Sequence, residues 1–130
     1  ILIGSNDAAV CMNTGRTLEA TGFAENYRCL LGRIQEKTEA RLVCMGPFIF
    51  PQPLEYSRWI PIIRKIEETE QRIAGEHHAL FLPLHDLLNR EAQRAGYDGI
   101  TPDGIHLTWE GAGVVARTWI REVDRARIFS

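Results

Sequence analysis

The chain has 130 residues, 45% of them hydrophobic and 25% charged, with a net charge of −2; these are the proportions of one ordinary globular domain. No basic stripe stands out, so nucleic acid and anionic membranes lack electrostatic support as partners, and no apolar run approaches the ~20 residues of a membrane span. The three cysteines, Cys11, Cys29 and Cys44, include no C-x-x-C pair, which fits reduced thiols and a cytoplasmic location better than a disulfide framework.

In chain order, Ile1 to Ile3 reads as the tail of a buried strand, because short apolar runs suit sheets covered on both faces. With no Met and no polar lead-in, the chain is expected to begin inside an element, and any export signal would lie upstream. "GSNDAA" follows as a loop at the strand's carboxyl end, and residues 8–22 read as turn-prone. In "FAENYRCLLGRIQEKT", Phe23, Tyr27, Leu30, Leu31 and Ile34 mark one face of an amphipathic helix. "ARLVCMG" reads as a second strand, with Cys29 and Cys44 as core. "PFIFPQP" is too rich in proline for a central strand and reads as loop.

"YSRWIPIIRKIEETEQRIAGEH" is the strongest helix pattern. Trp59, Ile62, Ile63, Ile66 and Ile73 fall on one side. Arg64, Glu68 and Arg72 are spaced for i,i+4 pairs on the other. Ser57 is its expected N-cap and Gly75 its stop. "ALFLPL" is a third strand and "HDLLNREAQRAG" a helix ending at Gly96, with Asp86 as a capping residue. "YDGITPDGIHL" reads as loop, and Thr108 caps a final helix that begins at Trp109. Strands alternating with helices predict an α/β domain with a parallel sheet, whose ligands gather at the carboxyl ends of the strands.

Two stretches carry chemistry. In "DGIH", Asp103 and His106 lie three residues apart on a turn, so both side chains can project to one side. A serine hydrolase needs this pair: an imidazole that takes the nucleophile's proton, and a carboxylate that fixes its tautomer. The alternative is a turn-capping carboxylate beside a surface histidine. In "GSND", Gly4 permits close backbone approach and Asn6 offers a donor to a developing oxyanion, a contact worth ~3–4 kcal/mol. The alternative there is an ordinary strand-ending turn.

Together, "ILIGSND" and "DGIHLTWEGAGVVA", separated by roughly a hundred residues, resemble the third and fifth conserved blocks of the SGNH, or GDSL-type, serine hydrolases. "RLVCMGPF" resembles the strand and loop between them. The resemblance spans essentially the whole chain. It implies a flavodoxin-like three-layer α/β/α sandwich with a parallel sheet, ester hydrolysis through an acyl-enzyme, and no cofactor or metal. Residue by residue, it makes His106 the general base, Asp103 the triad carboxylate and Asn6 an oxyanion-hole donor. Gly4 falls on the glycine of the Gly-x-Asn-Asp block. Gly4 and Trp109 are candidate substrate-binding positions, Trp109 as the wall of an acyl pocket; the alternative for all three tryptophans is packing.

The family's first block, Gly-Asp-Ser-Leu, occurs nowhere in the 130 residues. The expectation is therefore a C-terminal portion, residues 1–130, of one such domain. It would lack the first strand and the nucleophilic serine, with about seventy residues upstream. The exposed sheet edge would then pair with that segment or with a second copy. The competing reading is a non-catalytic binding or assembly module. Cys11 is the nearest thiol to "GSND" and reads as inert. His77-His78 reads as a solvated helix end rather than a metal pair, and Asp98 as turn chemistry.

Overall fold

The computed structural model describes residues 1–129. Seven α-helices and two strands follow in the order α1 (Ser5–Thr14), α2 (Leu18–Thr21), α3 (Phe23–Lys37), β1 (Val43–Met45), α4 (Ile60–Glu76), β2 (Leu80–Leu82), α5 (His85–Ala95), α6 (Tyr97–Ile100) and α7 (Trp109–Arg125). A 3₁₀ turn, Leu54–Trp59, leads into α4. β1 and β2 pair in parallel, with Val43 opposite Leu80 and Met45 opposite Leu82. Residues 1–3 run parallel along the other edge of β1. Leu2 bridges Met45, the Ile1 amino group donates to Val43 O at 2.7 Å, and Met45 N donates to Ile1 O at 2.8 Å.

Successive strand residues point to opposite faces, and each face has its own core. Leu42 and Cys44 join Phe23, Tyr27, Leu31, Ile63, Ile66 and Ile73 of α3 and α4 on one side. Val43 and Leu82 join Leu84, Leu88, Ala92, Ile100, Val114 and Val123 on the other. This is the α/β arrangement with a small parallel sheet that the alternating pattern predicts. It directs the carboxyl ends of residues 1–3, β1 and β2 to one rim.

Several local expectations are corrected. Residues 5–14 and 18–21 are helical, where the Asn- and Gly-rich text reads as loop and turn. Gly4, at φ 118°, turns the chain directly from strand into α1, and burial of Ala8 and Cys11 overrides weak propensity. Cys29 is exposed rather than core, and Leu30 is 39% exposed, because the buried stripe of α3 runs through Phe23, Tyr27 and Leu31. Ser57 does not cap α4: its hydroxyl donates to Leu54 O within the 3₁₀ turn, and α4 continues past Gly75 to Glu76. Arg64 pairs with Asp86, and Arg72 with Glu76, instead of both meeting Glu68. Asp86 thus ties α5 to α4 and does not cap α5. Residues 97–100 form α6 rather than loop. Thr108 caps α7 as expected, accepting from Gly111 N at 3.0 Å.

One costly side chain is Glu70 of α4. It is fully buried, and neither carboxylate oxygen has a hydrogen-bond partner. Burial, then the charges of Asp7 and Glu67, push its pKa up to about 9, so the neutral acid is the folded form. A carboxyl whose folded pKa exceeds its unfolded value makes the native state bind the proton more tightly. Stability from this group is therefore complete below about 4.5 and falls as pH rises toward about 9. Glu70→Gln, neutral at every pH, should flatten that decline. Urea midpoints measured across the window should diverge between the two proteins as pH rises, the variant remaining the more stable at the alkaline end.

Candidate active site

The turn after α6 is built around one carboxylate. Asp103 Oδ1 accepts the backbone N–H groups of Ile105 at 2.8 Å and His106 at 2.7 Å. Its Oδ2 lies 2.6 Å from His106 Nδ1. The backbone N–H of His106, then its ring, then the N–H of Ile105 draw the Asp103 pKa down to about 2. The carboxylate is thus ionised and can only accept, which makes Nδ1 the donor. In the neutral ring Nε2 is then the basic nitrogen, and the ring, 76% exposed, presents it outward.

The turn is held from beneath. Thr101, itself buried, donates its hydroxyl to His106 O at 2.6 Å and accepts from Gly104 N at 2.8 Å. Gly104 O accepts from Phe50 N at 3.0 Å. Gly104 has φ 90°, and a Cβ there would collide with Gln52 O and Tyr56. Thr101 and Gly104 were not legible as functional in the sequence beyond the turn signal of "DG".

Asn6 lies in the first turn of α1, exposed. It borders a groove of about 380 Å³ lined by residues 2–7 and Phe48. It also lines a smaller cavity of about 70 Å³ together with Ser5, Ala9, Phe48, Ile49, Trp59, Ile63 and Ile105. Ile105 sits between Asp103 and His106, so α1's first turn and the Asp–His turn close on the same cavity from two sides. The structure thereby brings chain-distant segments to one rim.

Other singled-out residues lie elsewhere or do other work. Gly4 is buried, and a Cβ would press on Ile66 and Pro47, so its smallness serves packing of the strand end against α4. Trp109 is 94% exposed at the start of α7, contrary to the packing alternative; Trp59 is packed against the first core and Trp119 against the second. Cys11 and Cys44 are buried. His77 Nδ1 is 2.8 Å from Gln35 Oε1 at the end of α4. His85, by contrast, is buried.

A family model described as GDSL-like lipase/acylhydrolase matches residues 1–114. No curated protein matches the sequence. Among solved structures, a protein from Parabacteroides merdae described as GDSL-like lipase superposes with a TM-score of 0.82 at 23% identity, covering 93% of this chain and 57% of its own. A mutant acetyl-xylooligosaccharide esterase from Geobacillus gives 0.76 at 19% identity, covering 95% and 57%. An alpha/beta hydrolase from the metagenome of Lake Arreo, Spain, gives 0.75 at 17% identity, covering 92% and 56%. At these identities the likeness is one of fold, and the chain spans a little over half the length of each.

Gly104 tests how tightly the turn is specified. Gly104→Ala should destabilise the fold by roughly 2 kcal/mol or more, through positive-φ strain and the clash with Gln52. Denaturant unfolding checks this, and NMR should show the Asp103–His106 proton broadened or lost.

Proposed function

The chain belongs to the GDSL-like lipase/acylhydrolase family, and from that premise we propose that it carries the acid–base half of a serine esterase centre. The observation that supports this most directly is the 2.6 Å contact between Asp103 and His106 Nδ1, with Nε2 left toward solvent. In this reading His106 Nε2 takes the proton of a serine hydroxyl as it attacks an ester carbonyl, and returns it to the departing alcohol. Asp103 holds the tautomer and stabilises the imidazolium. Asn6 donates its side-chain amide to the oxyanion, and the groove beside it receives a small acyl or acetyl ester. Gly4 shapes the floor of that groove, and Trp109 offers an exposed aromatic face to the substrate. No cofactor or metal enters the chemistry.

The nucleophile is the missing part. Gly-Asp-Ser occurs nowhere in the 130 residues. The solved structures with this fold run well beyond the matched length, which supports a serine carried by a part of the protein outside these residues. The whole would be a flavodoxin-like three-layer sandwich. The absent Gly-Asp-Ser also motivates the second reading, a non-catalytic binding module.

Both readings are decided on the protein at its natural length. His106→Ala should reduce hydrolysis of a chromogenic acetate ester by roughly 10,000-fold. Near-unchanged turnover would rule His106 out as the base. Asn6→Ala should cost about 100- to 1,000-fold in kcat with little change in KM. A fluorophosphonate probe should label one serine outside the 130 residues; no labelling and no turnover would favour the binding module.

A further inference from the structure

A buried His85 and a half-buried Asn89 on α5 bear on the turn without touching it. Asn89 Nδ2 donates to Ile49 O at 2.9 Å and to His85 O at 2.9 Å. His85 Nδ1 accepts from Ile49 N at 3.3 Å. The carbonyl of Ile49 and the N–H of Phe50 belong to one planar trans peptide unit, whose two polar ends point in opposite directions. Asn89 grips the oxygen end, and the N–H end donates to Gly104 O. Orientation of that peptide thus passes rigidly from α5 to the turn bearing Asp103 and His106.

The histidine is suited to the task. Burial, with the Arg64 charge second, depresses its pKa, which keeps the ring neutral and Nδ1 an acceptor. The Arg64–Asp86 ion pair anchors the start of α5 to α4 as well. Ile49 also lines the cavity shared by Asn6 and Ile105. A single peptide therefore sets the spacing between the two halves of the site.

We infer that His85 and Asn89 are positioning residues: they clamp the Ile49 and Phe50 peptide groups and so hold the Asp103–His106 turn in register with Asn6. The inference rests on the esterase reading for its catalytic consequence, but its structural content can be tested separately.

The test uses His85→Leu, Asn89→Leu and His85→Asn in the natural-length protein; the asparagine oxygen in His85→Asn occupies the place of Nδ1. Two readouts are taken: the low-field Nδ1–H resonance of His106 by NMR, and kcat and KM for an acetate ester. Both leucine variants should broaden or shift that resonance. They should also lower kcat by about tenfold or more with KM little changed, as small misplacements of reacting groups do. His85→Asn should restore both. If a leucine variant fails to fold, Asn89→Ala, at a half-buried position, is read in the same way. An unchanged resonance alongside a lowered melting temperature would overturn the inference, as would a His85→Asn variant no better than His85→Leu. If the unsubstituted protein hydrolyses no ester, the esterase reading fails while the resonance still decides this one.

Discussion

The hydrogen bond from Phe50 N to Gly104 O, at 3.0 Å, is the constraint that ties the Asp103–His106 turn to the strand-end loop. On one side of it lies a proline-flanked loop buried between the two cores. On the other lies the turn whose carboxylate organises His106. The bond requires backbone-to-backbone approach so close that residue 104 can carry no side chain. Without it, Asp103 and His106 could still find each other locally, since they are neighbours on one turn. Their relation to Asn6, about a hundred residues away in the chain, would be undefined. Catalysis by such a pair depends on placement within fractions of an ångström, not on the presence of the groups.

The sheet explains why the rim exists. Three parallel segments, residues 1–3, β1 and β2, end on the same side. The chain leaves each through a different device: Gly4 at positive φ into α1, the buried Pro47–Phe50 stretch, and the Leu84 junction into α5. Each exit contributes to the site or to its support. α1 brings Asn6, the loop brings Ile49 and Phe50, and α5 brings His85 and Asn89. The candidate site thus lies at strand ends, as expected of open α/β sheets.

Charge burial is placed with a clear division. Asp103 is exposed and hydrogen-bonded three times, so its ionised form is strongly favoured. Glu70 is enclosed without a partner, so its neutral form is favoured. The same side-chain chemistry gives opposite protonation because one site supplies N–H donors, while at the other desolvation and like charge outweigh the opposing charge of the amino terminus.

How much of this was legible differs by element. The pairing of Asp103 with His106, the Thr108 cap and the helices α3, α4, α5 and α7 were readable, because each rests on spacing within a few residues. α1 and α2 were misread: their composition favours turns, and the burial of Ala8, Cys11 and Leu18 that stabilises them involves partners distant in sequence. The partners of Arg64, Arg72 and Asp86 were misread for the same reason, as was the exposure of Cys29. The contacts of Gly104, His85 and Asn89 with residues 49–50 had no local signature, since each reaches a segment other than its own. The sequence by itself determined the alternation of strands and helices and the pairing of Asp103 with His106 on one turn, because periodicity and short-range geometry are local. The tertiary structure alone decided which peptide supports that turn, which carboxyl is neutral and which segments share a cavity, because those depend on close approach between residues that the chain order does not relate.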